Sequence, residues 1–95
     1  MRVVQVETVE DCFDGSFIKE ISLSEAISVE FIKKMGEGNS LEYFPDFPRP
    51  FFRIEKKNFY QIKGVLKSRS IRVIFNRQCN SACIESLVSF INNLF

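Results

Sequence analysis

Phe51-Phe52-Arg53-Ile54-Glu55-Lys56-Lys57-Asn58-Phe59-Tyr60-Gln61-Ile62-Lys63-Gly64-Val65-Leu66-Lys67-Ser68-Arg69-Ser70-Ile71-Arg72-Val73-Ile74-Phe75 is the stretch that decides the fold. It reads as three strands, Phe51–Glu55, Phe59–Leu66 and Ser70–Phe75. Their connections, Lys56-Lys57-Asn58 and Lys67-Ser68-Arg69, are short and polar, which favours an antiparallel meander. A period of two also assigns faces. With Ile54, Ile62, Ile71, Val73 and Phe75 turned to a core, Arg53, Gln61, Lys63 and Arg72 point the other way. Phe51 and Phe59 are expected to share that outward face.

Upstream, Val3-Val4-Gln5-Val6 is rich in β-branched residues and predicts a first strand ending before Glu10-Asp11. Gly15-Ser16 marks a turn and Phe17–Leu23 alternates again, so the two runs predict a hairpin. Ser24-Glu25 opens a helix to Met35, with Ser28 as a second possible cap. Ile27, Phe31, Ile32 and Met35 line one face of it. Gly36 and Gly38 end it, because glycine takes left-handed backbone cheaply. Pro45, Pro48 and Pro50, soon after Leu41–Phe44, forbid a central strand and favour an extended or bent edge. Beyond the meander, Asn80-Ser81 caps a second helix, Ser81–Leu94. Its Cys83, Ile84, Leu87, Val88, Ile91, Leu94 and Phe95 form one stripe. This order predicts an α+β two-layer sandwich. A mainly antiparallel sheet of five or six strands carries both helices on one face and leaves the other open.

Ninety-five residues, 45% hydrophobic and 26% charged, suit a single domain over residues 1–95. The apolar content and a net charge of only +1 exclude a disordered chain. That balance is uneven along the sequence. Residues 1–45 hold four Lys/Arg against nine Asp/Glu, whereas residues 46–77 hold nine against two. Eleven Phe with no Trp is a large aromatic load for one small core: either it makes a Phe-rich core, or part of it reaches the surface at an interface. Met1–Glu7 lacks the apolar stretch of a signal peptide, and no run approaches the roughly eighteen apolar residues of a membrane span. A cytoplasmic setting without membrane contact is the expectation. The odd number of cysteines, Cys12, Cys79 and Cys83, does not suggest a disulfide framework.

The absence of histidine removes imidazole triads, proton shuttles and His-containing metal sites. The four glycines form no phosphate loop or dinucleotide fingerprint, and no carboxylate pair marks a general acid and base. An enzyme is therefore the weaker expectation, with no catalytic residue, metal ligand or cofactor assigned. Cys79-x3-Cys83 places two thiols one helical turn apart. They can share a metal if Cys12 and carboxylates such as Asp11 or Asp14 complete the four-ligand set a structural zinc needs. They can form a redox pair if the helix N-terminus stabilises a thiolate, although the spacing differs from CxxC. The plain alternative packs Cys83 in the core and leaves Cys79 at a loop end. Leu41–Phe52 holds four Phe, one Tyr and three Pro. It is either a rigid aromatic contact surface or a stiff connector whose aromatics tuck beneath the helices.

Within that segment, Glu42-Tyr43-Phe44-Pro45-Asp46-Phe47-Pro48-Arg49-Pro50-Phe51-Phe52-Arg53-Ile54 resembles a stretch found in a family of short, uncharacterised prokaryotic proteins. The likeness implies one compact domain and attaches no activity. The order from Leu41 to Leu94, four strand-like segments and then a helix, is similar to one half of a TATA-binding-protein repeat. It lacks the second repeat and a motif-for-motif match, so no residue role follows.

Phe51, Arg53, Phe59, Lys63 and Arg72 are the candidate binding residues. Cations interleaved with aromatics on a sheet can stack and neutralise single-stranded nucleic acid. They suit equally an acidic protein partner, including the acidic half of a second copy. Any solvated sheet face also has this look, with Lys and Arg stems covering apolar surface. The expectation is a small non-enzymatic interaction module that self-associates or binds a protein partner, with nucleic-acid binding as the alternative. A two-fold dimer would set the basic meander against the acidic first half and bury Phe51 and Phe59.

Overall fold

The computed structural model describes residues 1–11 and 15–94, with Asp11 in its backbone only. The described residues form β1 (Val3–Asp11), β2 (Phe17–Leu23), α1 (Val29–Gly36), β3 (Ser40–Phe44), β4 (Phe51–Lys56), β5 (Tyr60–Val65), β6 (Ser70–Phe75) and α2 (Ser81–Asn92). The strands make one antiparallel sheet in the spatial order β1-β2-β6-β5-β4-β3. The meander fills the middle and one side, and β6 joins it to the β1–β2 hairpin. Helix α1 carries the chain from β2 to the far edge, where β3 begins.

The alternation in β4, β5 and β6 does what the sequence predicts. Ile54, Ile62, Ile71, Val73 and Phe75 are buried, with Phe52 from β4 and Ile21 and Leu23 from β2. Phe31, Ile32 and Met35 of α1 and Leu87 and Ile91 of α2 complete the same core. Each such side chain contributes roughly 1.5–3 kcal/mol when fully withdrawn from water. Both helices therefore cover one face of the sheet, and no described element covers the other. Within the core, Phe52 lies across Gly64, where an added Cβ would come 2.6 Å from the ring. Glycine in mid-strand here marks a close approach.

The boundaries of β4 and β5 shift by a residue, and three departures from expectation are larger. Helix α1 starts at Val29 rather than Ser24. The preceding backbone is engaged elsewhere: Ser24 N–H donates to the Arg2 carbonyl at 2.9 Å, and Ile27 N–H to that of Ser68 at 2.8 Å. Ser28 is the cap, its Oγ accepting from Phe31 N–H at 3.1 Å. Helix α2 begins where predicted, capped by Asn80, and ends at Asn92; Phe95 lies outside the described residues. Strand β1 runs on to Asp11, with register shifts at Val3/Gln5 and Thr8/Glu10. Such bulges let a long edge strand stay paired while twisting away from further partners. No helix among the described residues is long and apolar enough to cross a membrane.

Candidate interaction face

Residues directly opposite one another on antiparallel strands share a face. One such row crosses the uncovered side of the sheet from edge to edge. It comprises Glu7 on β1, Glu20 on β2, Arg72 on β6, Lys63 on β5, Arg53 on β4 and Glu42 on β3. The local sequence explains the orientation, since the neighbours of these residues are claimed by the core. Ile71 and Val73 flank Arg72, Ile62 precedes Lys63, and Phe52 and Ile54 flank Arg53. Strand spacing sets the three cations about 4.8 Å apart at the backbone, across the middle of the sheet.

Their partners differ. Arg53 Nη2 donates to Glu42 Oε1 at 2.8 Å, a half-exposed pair worth at most about 1 kcal/mol. Lys63 and Arg72 are exposed, and neither joins an ion pair among the described residues. Ser70 Oγ donates to Glu20 Oε1 at 3.3 Å. Like charges directly opposite one another weaken a sheet. Arg72, Lys63 and Arg53 stand side by side nonetheless.

Beside the cations lies an aromatic corner. Phe44 and Phe51 face each other across β3 and β4 with ring centroids 4.7 Å apart. Phe47, from the proline-punctuated connection, closes on Phe51 at 5.2 Å and stays 52% exposed. The Leu41–Phe52 segment thus divides. Phe44, Phe47 and Phe51 form an outer aromatic cluster, whereas Tyr43 and Phe52 pack on the core. Between corner and cation row is a hollow of about 640 Å³, lined by Phe44, Phe51, Arg53, Lys63, Ser70 and Arg72.

The structure therefore brings together four of the five residues expected to bind and excludes Phe59. Asn58 adopts φ +70° and Phe59 N–H donates to the Lys56 carbonyl at 3.0 Å, closing a turn. The strand period stops there, so the parity that places Lys63 outward does not extend back to Phe59. Its ring sits 4.9 Å from Lys56 Nζ, on a separate cavity of about 830 Å³ against α2. Sequence reasoning missed the acids of the row, Glu7, Glu20 and Glu42, and placed Phe44 and Phe47 only within the Leu41–Phe52 segment, not beside the cations. No single strand displays cross-strand register, although the outward parity of Phe44 beside buried Phe52 offered a partial signal.

The cysteines also depart from expectation. Cys79 lies in the loop just before α2, as the plain alternative has it, but is buried there, and Cys83 packs half-buried against the core. The chain turns Cys79 under the β4–β5 turn, with Sγ 3.0 Å from the Phe59 carbonyl oxygen. The two residues form a disulfide with Cα atoms 5.3 Å apart. Cys12 and Asp14 lie outside the described residues. Among those described, no group of three or more potential metal ligands assembles.

The chain matches no protein-family model, no curated protein and no solved structure.

Proposed function

We propose that this chain is a non-enzymatic interaction module whose uncovered sheet face is the contact surface, and that its partner presents negative charge to β4, β5 and β6. The observation that carries the reading is the Arg53–Lys63–Arg72 row. Three cations stand opposite one another without full internal compensation, an arrangement that an external anion relieves. The hollow beside them adds shape, and Phe47 and Phe51 add exposed apolar area. Catalysis fits less well. The sequence holds no histidine, and the Ser70–Glu20 hydrogen bond is long for an activated hydroxyl.

A second reading draws on the aromatic corner. Phe47 and Phe51 at the end of the cation row suit a short single-stranded nucleic acid, with bases against rings and phosphates on Arg53 and Lys63. Titrating isotope-labelled protein with an acidic peptide, and separately with a short oligothymidylate, tests both by NMR. The first reading expects peptide-induced shifts clustered on Arg53, Lys63 and Arg72. The second expects oligothymidylate shifts that add Phe47 and Phe51 and fade as salt rises. Shifts confined to the helices, or none at low salt, refute the face as a contact surface.

A further inference from the structure

We propose that the uncovered face pairs with the same face of a second copy, across a two-fold axis parallel to the strands at the β2–β6 boundary. The inference rests on reading this face as the contact surface and names its occupant. Along the transverse row the sign changes between Glu20 and Arg72. Acids continue outward through Glu7, cations through Lys63 and Arg53. A two-fold axis along the strands lays each row over itself in reverse. β2 then lies over β6 of the second copy, and β1 over its β5. Glu20 meets Arg72 of the other copy, and Glu7 meets its Lys63; symmetry repeats both contacts.

Other placements fit worse. Centring the axis on β2 sets Glu20 against itself, and centring it on β6 sets Arg72 against itself. Centring it on β5 opposes the cations of the two copies. The adjacent rows also suit the β2–β6 boundary. Ile18 and Ile74 form the next outward pair and are half-buried, which puts apolar surface on the axis. Ser22 and Ser70 pair on the other side of the charged row, and their small side chains allow close approach. The overlap spans four strands and about six residues along each, a footprint of about 19 by 20 Å. That is small for a permanent dimer and suits a reversible, salt-sensitive one. Phe51 and Arg53 fall beyond the overlap and Phe59 lies elsewhere. This dimer leaves both phenylalanines that the sequence reading expected at the interface outside it.

Sedimentation equilibrium on the full chain, up to high micromolar concentration and at low salt, tests it. The unmodified protein is expected to dimerise reversibly. Arg72→Glu and Glu20→Lys should each weaken dimerisation at least about tenfold, and the two together should restore it to within a few-fold. Lys33→Glu, at an exposed position of α1 on the other side of the sheet, should leave it unchanged. Circular dichroism confirms that each variant is folded. Should Arg72→Glu fail to fold, Lys63→Glu with Glu7→Lys poses the same question one strand further out. A dimer indifferent to the single reversals, or a double variant that fails to recover, overturns the proposal. So does a monomer throughout. If that monomer's face still shifts on adding the acidic peptide, the broader reading survives; if it takes nothing, both fall.

Discussion

Gly64→Ala tests the packing that shapes the sheet without touching its outer face. A Cβ at this position would lie 2.6 and 2.7 Å from Cε1 and Cζ of Phe52, and 3.2 Å from Cγ2 of Ile71. Both neighbours are 1% exposed, so neither can swing into solvent. Forcing one extra methyl into such a site costs about 1–3 kcal/mol. Alanine recovers roughly 0.5–1 kcal/mol by restricting the unfolded chain and suiting a strand better than glycine. The net loss is up to about 2.5 kcal/mol. For a domain of this size that lowers Tm by up to about 20 °C. Thermal circular dichroism with urea titration measures it. Trimming the ring with Phe52→Leu in the same chain should make the double variant more stable than the sum of the two single losses. A Gly64→Ala protein that melts at or above the unmodified temperature refutes the close-approach argument.

Ser28→Ala removes the oxygen that accepts from Phe31 N–H and should cost about 1 kcal/mol, read as a lower urea midpoint with unchanged slope. Ser24→Ala, at the position first expected to cap, should leave helix content unchanged, because Ser24 Oγ instead accepts from Arg2 N–H at 2.8 Å. Burial pushes the Tyr60 hydroxyl above its ordinary value of 10.0. The folded state therefore holds this proton more tightly than the unfolded chain. Its contribution is intact below pH 10 and is lost as pH rises through the folded value. Phenolate absorbance should show Tyr60 titrating late, and Tyr60→Phe should flatten the alkaline loss of stability.

The meander was legible because three strands with polar connections of a few residues leave little topological choice, and because Ile54, Ile62, Ile71, Val73 and Phe75 keep a strict period. The faces of Arg53, Lys63 and Arg72 followed from that same period. What the sequence concealed depended on tertiary partners. Helix α1 loses its first turn because Ser24 and Ile27 hydrogen-bond to Arg2 and Ser68, residues far away in the chain. Phe59 departs from the alternation because left-handed Asn58, just before it, places it in the turn, and β5 begins only at Tyr60. The full charge row required the pairing of β2 with β6 and of β3 with β4. A division of the sequence into acidic and basic halves gives only its shadow.

The pairing of β2 with β6 also governs when the fold can close. Glu20 and Ser70 are 50 positions apart yet meet across adjacent strands. During synthesis the β1–β2 hairpin emerges first, and its inner edge has no neighbour until the last strand of the meander has been made. Isolated hairpins are marginal in water, so the N-terminal segment waits largely unformed for β6. Closing that long loop is a slow, entropically opposed step, and it completes the core and the outer charge row together. A chain interrupted before Ser70 would hold the acidic strands and the first helix without the strand that joins them to the rest.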